Sequence, residues 1–122
     1  MKTMVFEFKT PGPGDLVIIN ACAPRGGKIS CKRKILGGGK KPITDGDGFI
    51  TGYEEIPPDD CRAIAHDLAG QISKEWMPEC VKAKVQPKDG SLIINCTDLF
   101  SDVNFSSEVH GEGGTVIEMT EF

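Results

Sequence analysis

Acidic residues are missing from a long part of this chain, and basic residues from another. No Asp or Glu occurs in residues 16–44, and no Lys or Arg follows Lys88. Seven of the fourteen basic residues crowd the acid-free part: Arg25, Lys28, Lys32, Arg33, Lys34, Lys40 and Lys41. Past Lys88 stand Asp89, Asp98, Asp102, Glu108, Glu112, Glu118 and Glu121. Blocks of one sign mark a surface that faces a partner, or a place where the chain pairs with itself. The net charge of −4 hides this split. It argues against general affinity for nucleic acid and leaves local affinity for an anion open.

Other absences narrow the classes further. No apolar run approaches the ~18 residues of a membrane helix, so no membrane partner is expected. The first residues lack the apolar core of a signal peptide. With Met1 as the natural start, the protein is expected in the cytoplasm. None of Cys22, Cys31, Cys61, Cys80 and Cys96 forms a C-x-x-C pair, which argues against zinc knuckles. Free, mostly buried thiols are expected. A Cys22–Cys31 bridge is the exception that an oxidising compartment would permit. Residues 9–48 contain no aromatic side chain, so the basic stretch has no stacking platform for single-stranded nucleic acid. Its glycines do not form a Walker loop either, because Lys41 stands where Ser or Thr would follow the lysine.

What is present reads as one small domain, residues 1–122. Fifteen Gly and eight Pro imply many turns and a largely β architecture. Met4, Phe6 and Phe8 alternate with Glu7 and Lys9, as in a half-buried strand. Residues 16–19 are apolar on both faces, as in a central strand. Residues 28–36 alternate again, and Gly37, Gly38 and Gly39 end them. Further strands are expected over 49–56, 81–85, 92–94 and 115–122. One helix is expected over 58–76, with Pro58 at its first position and Cys61, Ile64, Ala65, Leu68, Ile72 and Trp76 forming an apolar stripe. Residues 97–114 read as a loop, long enough to carry function or hidden structure. Residues 10–18 and 86–94 share the order Pro, Gly, Leu, Ile, which suggests two hairpins with similar turns. The expected fold is α+β: an antiparallel sheet of about five to seven strands with one long amphipathic helix packed on one face.

The candidate site is the basic stretch, Arg25, Lys28, Lys32, Arg33, Lys34, Lys40 and Lys41, expected to form a directional cationic edge. Gly-rich turns at both ends of its strand could point backbone N–H groups at a phosphate. Residues 45–54 resemble the later part of an EF-hand calcium loop, with Asp45, Asp47, Gly48, Ile50 and Glu54 at matching positions. That resemblance would make Asp45, Asp47 and Glu54 calcium ligands. Ile43 occupies the first ligand position, so the segment reads first as an Asp-Gly turn ahead of a strand. His66 and His110 have no nucleophile or metal-ligand partner nearby in sequence, and a Cys80–His110 pair would need the fold to create it. No catalytic set and no cofactor motif is legible.

Residues 49–61, then Cys96 followed by Asn104, Phe105, Ser106 and Ser107, are similar in spacing to the cysteine-bounded region of type IV pilin globular domains. That resemblance implies an assembly subunit. The leading expectation is a small non-catalytic binding protein that engages a macromolecule, most naturally another protein, through a charged surface. Phage-type accessory proteins and inhibitors are of this kind. The alternatives are a nucleotide or phosphate binder using the Gly-rich basic turns, and an assembly subunit that pairs basic block with acidic tail to form a homo-oligomer.

Overall fold

The computed structural model describes residues 2–24, 27–76, 81–86, 88–96 and 103–122. Among these residues it has an α+β fold with nine strands in three antiparallel sheets and a single helix. The strands are β1 (Lys2–Lys9), β2 (Leu16–Cys22), β3 (Lys28–Lys34), β4 (Gly39–Thr44), β5 (Ile50–Ile56), β6 (Val81–Val85), β7 (Leu92–Cys96), β8 (Asn104–His110) and β9 (Val116–Glu121). The helix α1 (Cys61–Glu75) lies between β5 and β6.

Four strands form one sheet in the order β6-β7-β1-β9, and three form another in the order β3-β2-β8. The expected single sheet of five to seven strands is therefore two sheets around one core, with a separate pair, β4-β5. Phe6, Ile19, Ile64, Leu68, Ile72, Leu92 and Ile94 are fully buried between them. The helix packs against β6 and β3, the outer strands of the two sheets. It thus closes the side of the core that neither sheet covers.

The division into two sheets arises at Asp15. The 10–18 segment was expected to make a hairpin, as 86–94 does between β6 and β7. Instead β1 and β2 enter different sheets. The Asp15 side chain is 1 % exposed and accepts hydrogen bonds from Gly113 N (2.7 Å), Thr115 N (3.1 Å) and Thr115 Oγ1 (2.7 Å). Thr115 Oγ1 accepts in turn from Gly12 N (2.8 Å). A Cβ on Gly111 or Gly113 would collide with this carboxylate, so glycine is required at both. The Thr115 hydroxyl first, then Gly113 N–H, hold the Asp15 carboxyl below the usual carboxylate range. The clasp pins the β1–β2 corner to the β8–β9 corner and directs the chain from one sheet into the other.

Three further expectations change. Residues 97–114 are not a loop throughout, because 104–110 form β8, with Phe105 buried beside the central strand β2. Residues 39–44, for which no strand was expected, form β4, which Gly39 opens after β3 has ended at Lys34. The helix begins at Cys61, later than Pro58, because Asp60 caps it by accepting from Ala63 N (2.7 Å). Such a cap is worth about 1 kcal/mol. Asp59 is thereby left free to bond Leu36 and Arg33.

Candidate functional site

The expected site residues do not form one surface. Arg25 lies outside the described residues. Lys28, Lys32 and Lys34 follow at even positions of β3, on the face opposite Cys31, which is buried. They form an exposed row on the outer face of the three-stranded sheet. Lys40 and Lys41 lie apart, on β4. Being consecutive in a strand, they point to opposite faces and cannot clamp one phosphate together.

Arg33 points the other way, toward the helix. Its Nη2 bonds Asp59 Oδ2 at 2.7 Å, and its Nη1 reaches Asp67 Oδ2 at 3.5 Å. Asp59 Oδ2 also accepts from Leu36 N (2.9 Å). Arg33 is therefore committed to joining β3 to the start of α1. The edge of β3 is covered as well. Gln71 of α1 accepts from Lys32 N (3.2 Å) and donates to Lys32 O (2.7 Å). Its amide takes the place of a neighbouring strand, so β3 does not offer an open edge at Lys32.

A polar ladder crosses the same outer sheet face. Ser30 Oγ donates to Asn20 Oδ1 (2.6 Å), and Asn20 Nδ2 donates to Glu108 Oε2 (2.8 Å). His110 Nε2 lies 3.4 Å from Glu108 Oε1. The Asn20 amide, with His110 secondary, holds the Glu108 carboxyl below its ordinary value. Ser30 is spent on Asn20 and not aimed at His110, so no nucleophile–base pair results. His110 and His66 are both exposed. Cys80, which only the fold could bring to His110, lies outside the described residues.

The EF-hand resemblance gives way to turn geometry. Asp45 Oδ1 accepts from Asp47 N (2.9 Å) and Phe49 N (3.0 Å), which is the local bonding of an Asx turn. Glu54 sits on β5 opposite Lys41. Among the described residues no three His, Cys, Asp or Glu side chains converge as metal ligands. Cys22, Cys31, Cys61 and Cys96 are free. Cys31 pairs with Ile19 in the ladder and Cys22 with Lys28, so the suggested bridge does not form. Two of the C-terminal acids meet N-terminal lysines: Glu118 with Lys9 (2.9 Å) and Glu121 with Lys2 (3.2 Å).

The feature that sequence reasoning missed is the β4–β5 arm. All of β4 is exposed, and all of β5 except the half-buried Gly52. Neither strand packs substantially on another element. The register places Lys40 opposite Glu55, Lys41 opposite Glu54 and Pro42 opposite Tyr53. The arm exposes Ile43, Phe49, Ile50, Tyr53 and Ile56, with Phe49 at 71 % and Tyr53 at 63 %. These are half of the ten large apolar side chains exposed among the described residues, which concentrates apolar surface on one projection. The available sequence signal was an apolar and aromatic strand after an Asp-Gly turn with no apolar partner strand before it. Among the described residues no helix is long and apolar enough to cross a membrane. No family model, curated protein or solved structure matches the chain.

Proposed function

We propose that this is a small non-catalytic binding protein that docks on another protein through its β4–β5 arm. The observation that carries the reading is the arm's exposed apolar set with no core behind it. An isolated two-stranded hairpin is marginally stable in water. Covering Phe49, Ile50 and Tyr53 would stabilise the arm and bind the partner at once. Tyr is among the residues that most often anchor protein interfaces. Lys40, Lys41, Glu54 and Glu55 flank these anchors and would set orientation and partner choice more than affinity.

Charge favours a protein over nucleic acid. Residues 39–56 carry two lysines against Asp45, Asp47, Glu54 and Glu55. A phosphate backbone would be repelled by that balance. The lysine row of β3 is a second charged surface, suited to steering a partner with an acidic patch. A nucleotide-binding role gains no support from Lys40 and Lys41, which face opposite ways.

Affinity capture from cells that naturally contain the protein tests this. Phe49→Ser and Tyr53→Ala should each abolish or sharply weaken capture, while Lys32→Glu with Lys34→Glu should slow it and raise its salt sensitivity. Retention by the arm variants with loss in the lysine variants would transfer the site to β3.

A further inference from the structure

The β4–β5 arm has two outer edges, and they are not equivalent. Proline has no backbone N–H, so within a sheet it sits where that group would point outward from an edge strand. Pro42 lies opposite Tyr53 in the ladder. Its nitrogen therefore faces away from β5, and the outer edge of β4 lacks a donor near its middle. Opposed residues of an antiparallel pair either exchange their N–H and C=O groups or both turn them outward, in alternation. Tyr53, opposite Pro42, and Glu55, two residues on, consequently turn theirs outward along the free edge of β5. The ladder irregularity between Ile43 and Thr44 lies on the turn side of Tyr53, so the register from Tyr53 to Ile56 is regular.

This edge is open. Residues 53–56 are all exposed, and among the described residues β5 pairs with β4 alone. An uncovered edge is a template for a further strand. Its charge decides which strand. Glu54 and Glu55 are consecutive and point to opposite faces, and among the described residues neither has an ion-pair partner. Asp45 and Asp47 add negative charge at the turn. A second β5 running antiparallel, Tyr53 opposite Glu55, would set Glu54 against its own counterpart, an unfavourable like-charge pair. A second β4 would bring Pro42 to a position that has to donate. The edge instead suits a strand with cations opposite Glu54 and Glu55, an apolar residue opposite Tyr53, and no proline. On its other side β5 already faces such charges, with Lys41 opposite Glu54 and Lys40 opposite Glu55.

We propose that the arm receives an extended, basic segment of a partner protein, which adds to β5 as a third strand. The inference rests on docking through the arm and names the part of it that docks. The N–H and C=O groups of Tyr53 and Glu55 hold the incoming main chain. The Glu54 and Glu55 side chains select Lys or Arg opposite them, one on each face.

The probe is a synthetic peptide with capped ends, Gly-Lys-Lys-Val-Ile-Thr, which is residues 39–44 with valine in place of Pro42. Added to the whole chain, it should bind saturably and slow hydrogen exchange at the Tyr53 and Glu55 amides, read in nitrogen–proton correlation spectra. The same peptide with proline restored, or with both lysines changed to glutamate, should bind at least tenfold more weakly. Glu55→Pro removes an outward N–H and leaves the β4–β5 bonds in place, so it should abolish binding. No protection at Tyr53 and Glu55 up to the solubility limit of the peptide would overturn the proposal, as would equal binding of the glutamate peptide. Self-association of the wild-type chain that the valine peptide reverses would also overturn it, by making a second copy the occupant. A native partner whose capture is lost with Tyr53→Ala but kept with Glu55→Pro would leave docking through the arm intact and refute strand addition alone.

Discussion

Deleting residues 39–56 and joining the cut ends by a short turn should leave the fold standing. The arm is closed at its base by two hydrogen bonds, Asp59 N to Leu36 O (2.9 Å) and Leu36 N to Asp59 Oδ2 (2.9 Å). Gly39 and Ile56 face each other in the ladder, so the ends to be joined are already neighbours. None of the arm's large apolar side chains is buried, so no core contact is lost. Shortening the connection from residues 37–58 to about six residues, roughly two doublings, should lower its closure cost by about 0.6 kcal/mol per doubling, or ~1 kcal/mol in total. The intrinsic stability of the hairpin, marginal in water, offsets part of that gain. Urea unfolding should therefore give a stability equal to wild type or up to ~1 kcal/mol greater, while partner capture disappears. Destabilisation by more than ~2 kcal/mol would mean that the arm belongs to the cooperative core, and the case for a free docking element would collapse.

The remaining predictions concern the frame that holds the arm. The Thr115 hydroxyl and the Gly113 N–H lower the folded pKa of Asp15 below its unfolded value, so its stabilising contribution is complete above the unfolded value and lost as pH falls through the folded one. Wild type should consequently lose more stability between neutral pH and about pH 2 than Asp15→Asn does, as read by denaturant titration at each pH. Gln71→Leu removes two hydrogen bonds to Lys32 and exposes the edge of β3. At about 0.5–1.5 kcal/mol per bond, partly offset by water, it should cost about 1–2 kcal/mol in urea and increase aggregation on heating. Cys31 is 1 % exposed and burial pushes its thiol up to about 12. Alkylation followed by mass spectrometry should find it unmodified in the folded protein at pH 8 and modified only after unfolding.

Periodicity revealed those elements whose burial repeats along the chain. Met4, Phe6 and Phe8 are buried as their alternation implies, and Ile64, Leu68 and Ile72 are buried on the helix. Val17, Ile18 and Ile19 are buried on both faces of β2, the central strand of its sheet. β8 was hidden because Ser107 dilutes the inward alternation of Phe105 and Val109. β4 was hidden because Gly39, Lys40, Lys41 and Pro42 bury nothing and have weak strand preference. The separation into two sheets rests on Asp15 meeting Thr115, a contact across 100 residues that no local pattern encodes. The fate of the basic stretch was equally non-local. The alternation over 28–36 sets Arg33 on the face opposite Lys32 and Lys34, but nothing local says that Asp59 and Asp67 claim it there.

Site-specific photocrosslinking addresses the docking role of the arm most directly. A benzophenone side chain would be placed at Phe49, at Tyr53 and, as a control, at the exposed Lys82 of β6. Irradiation in native extract should join the same protein to positions 49 and 53 and leave position 82 without it. Crosslinks that are equal at all three positions, or found at 82 alone, would contradict docking through the arm.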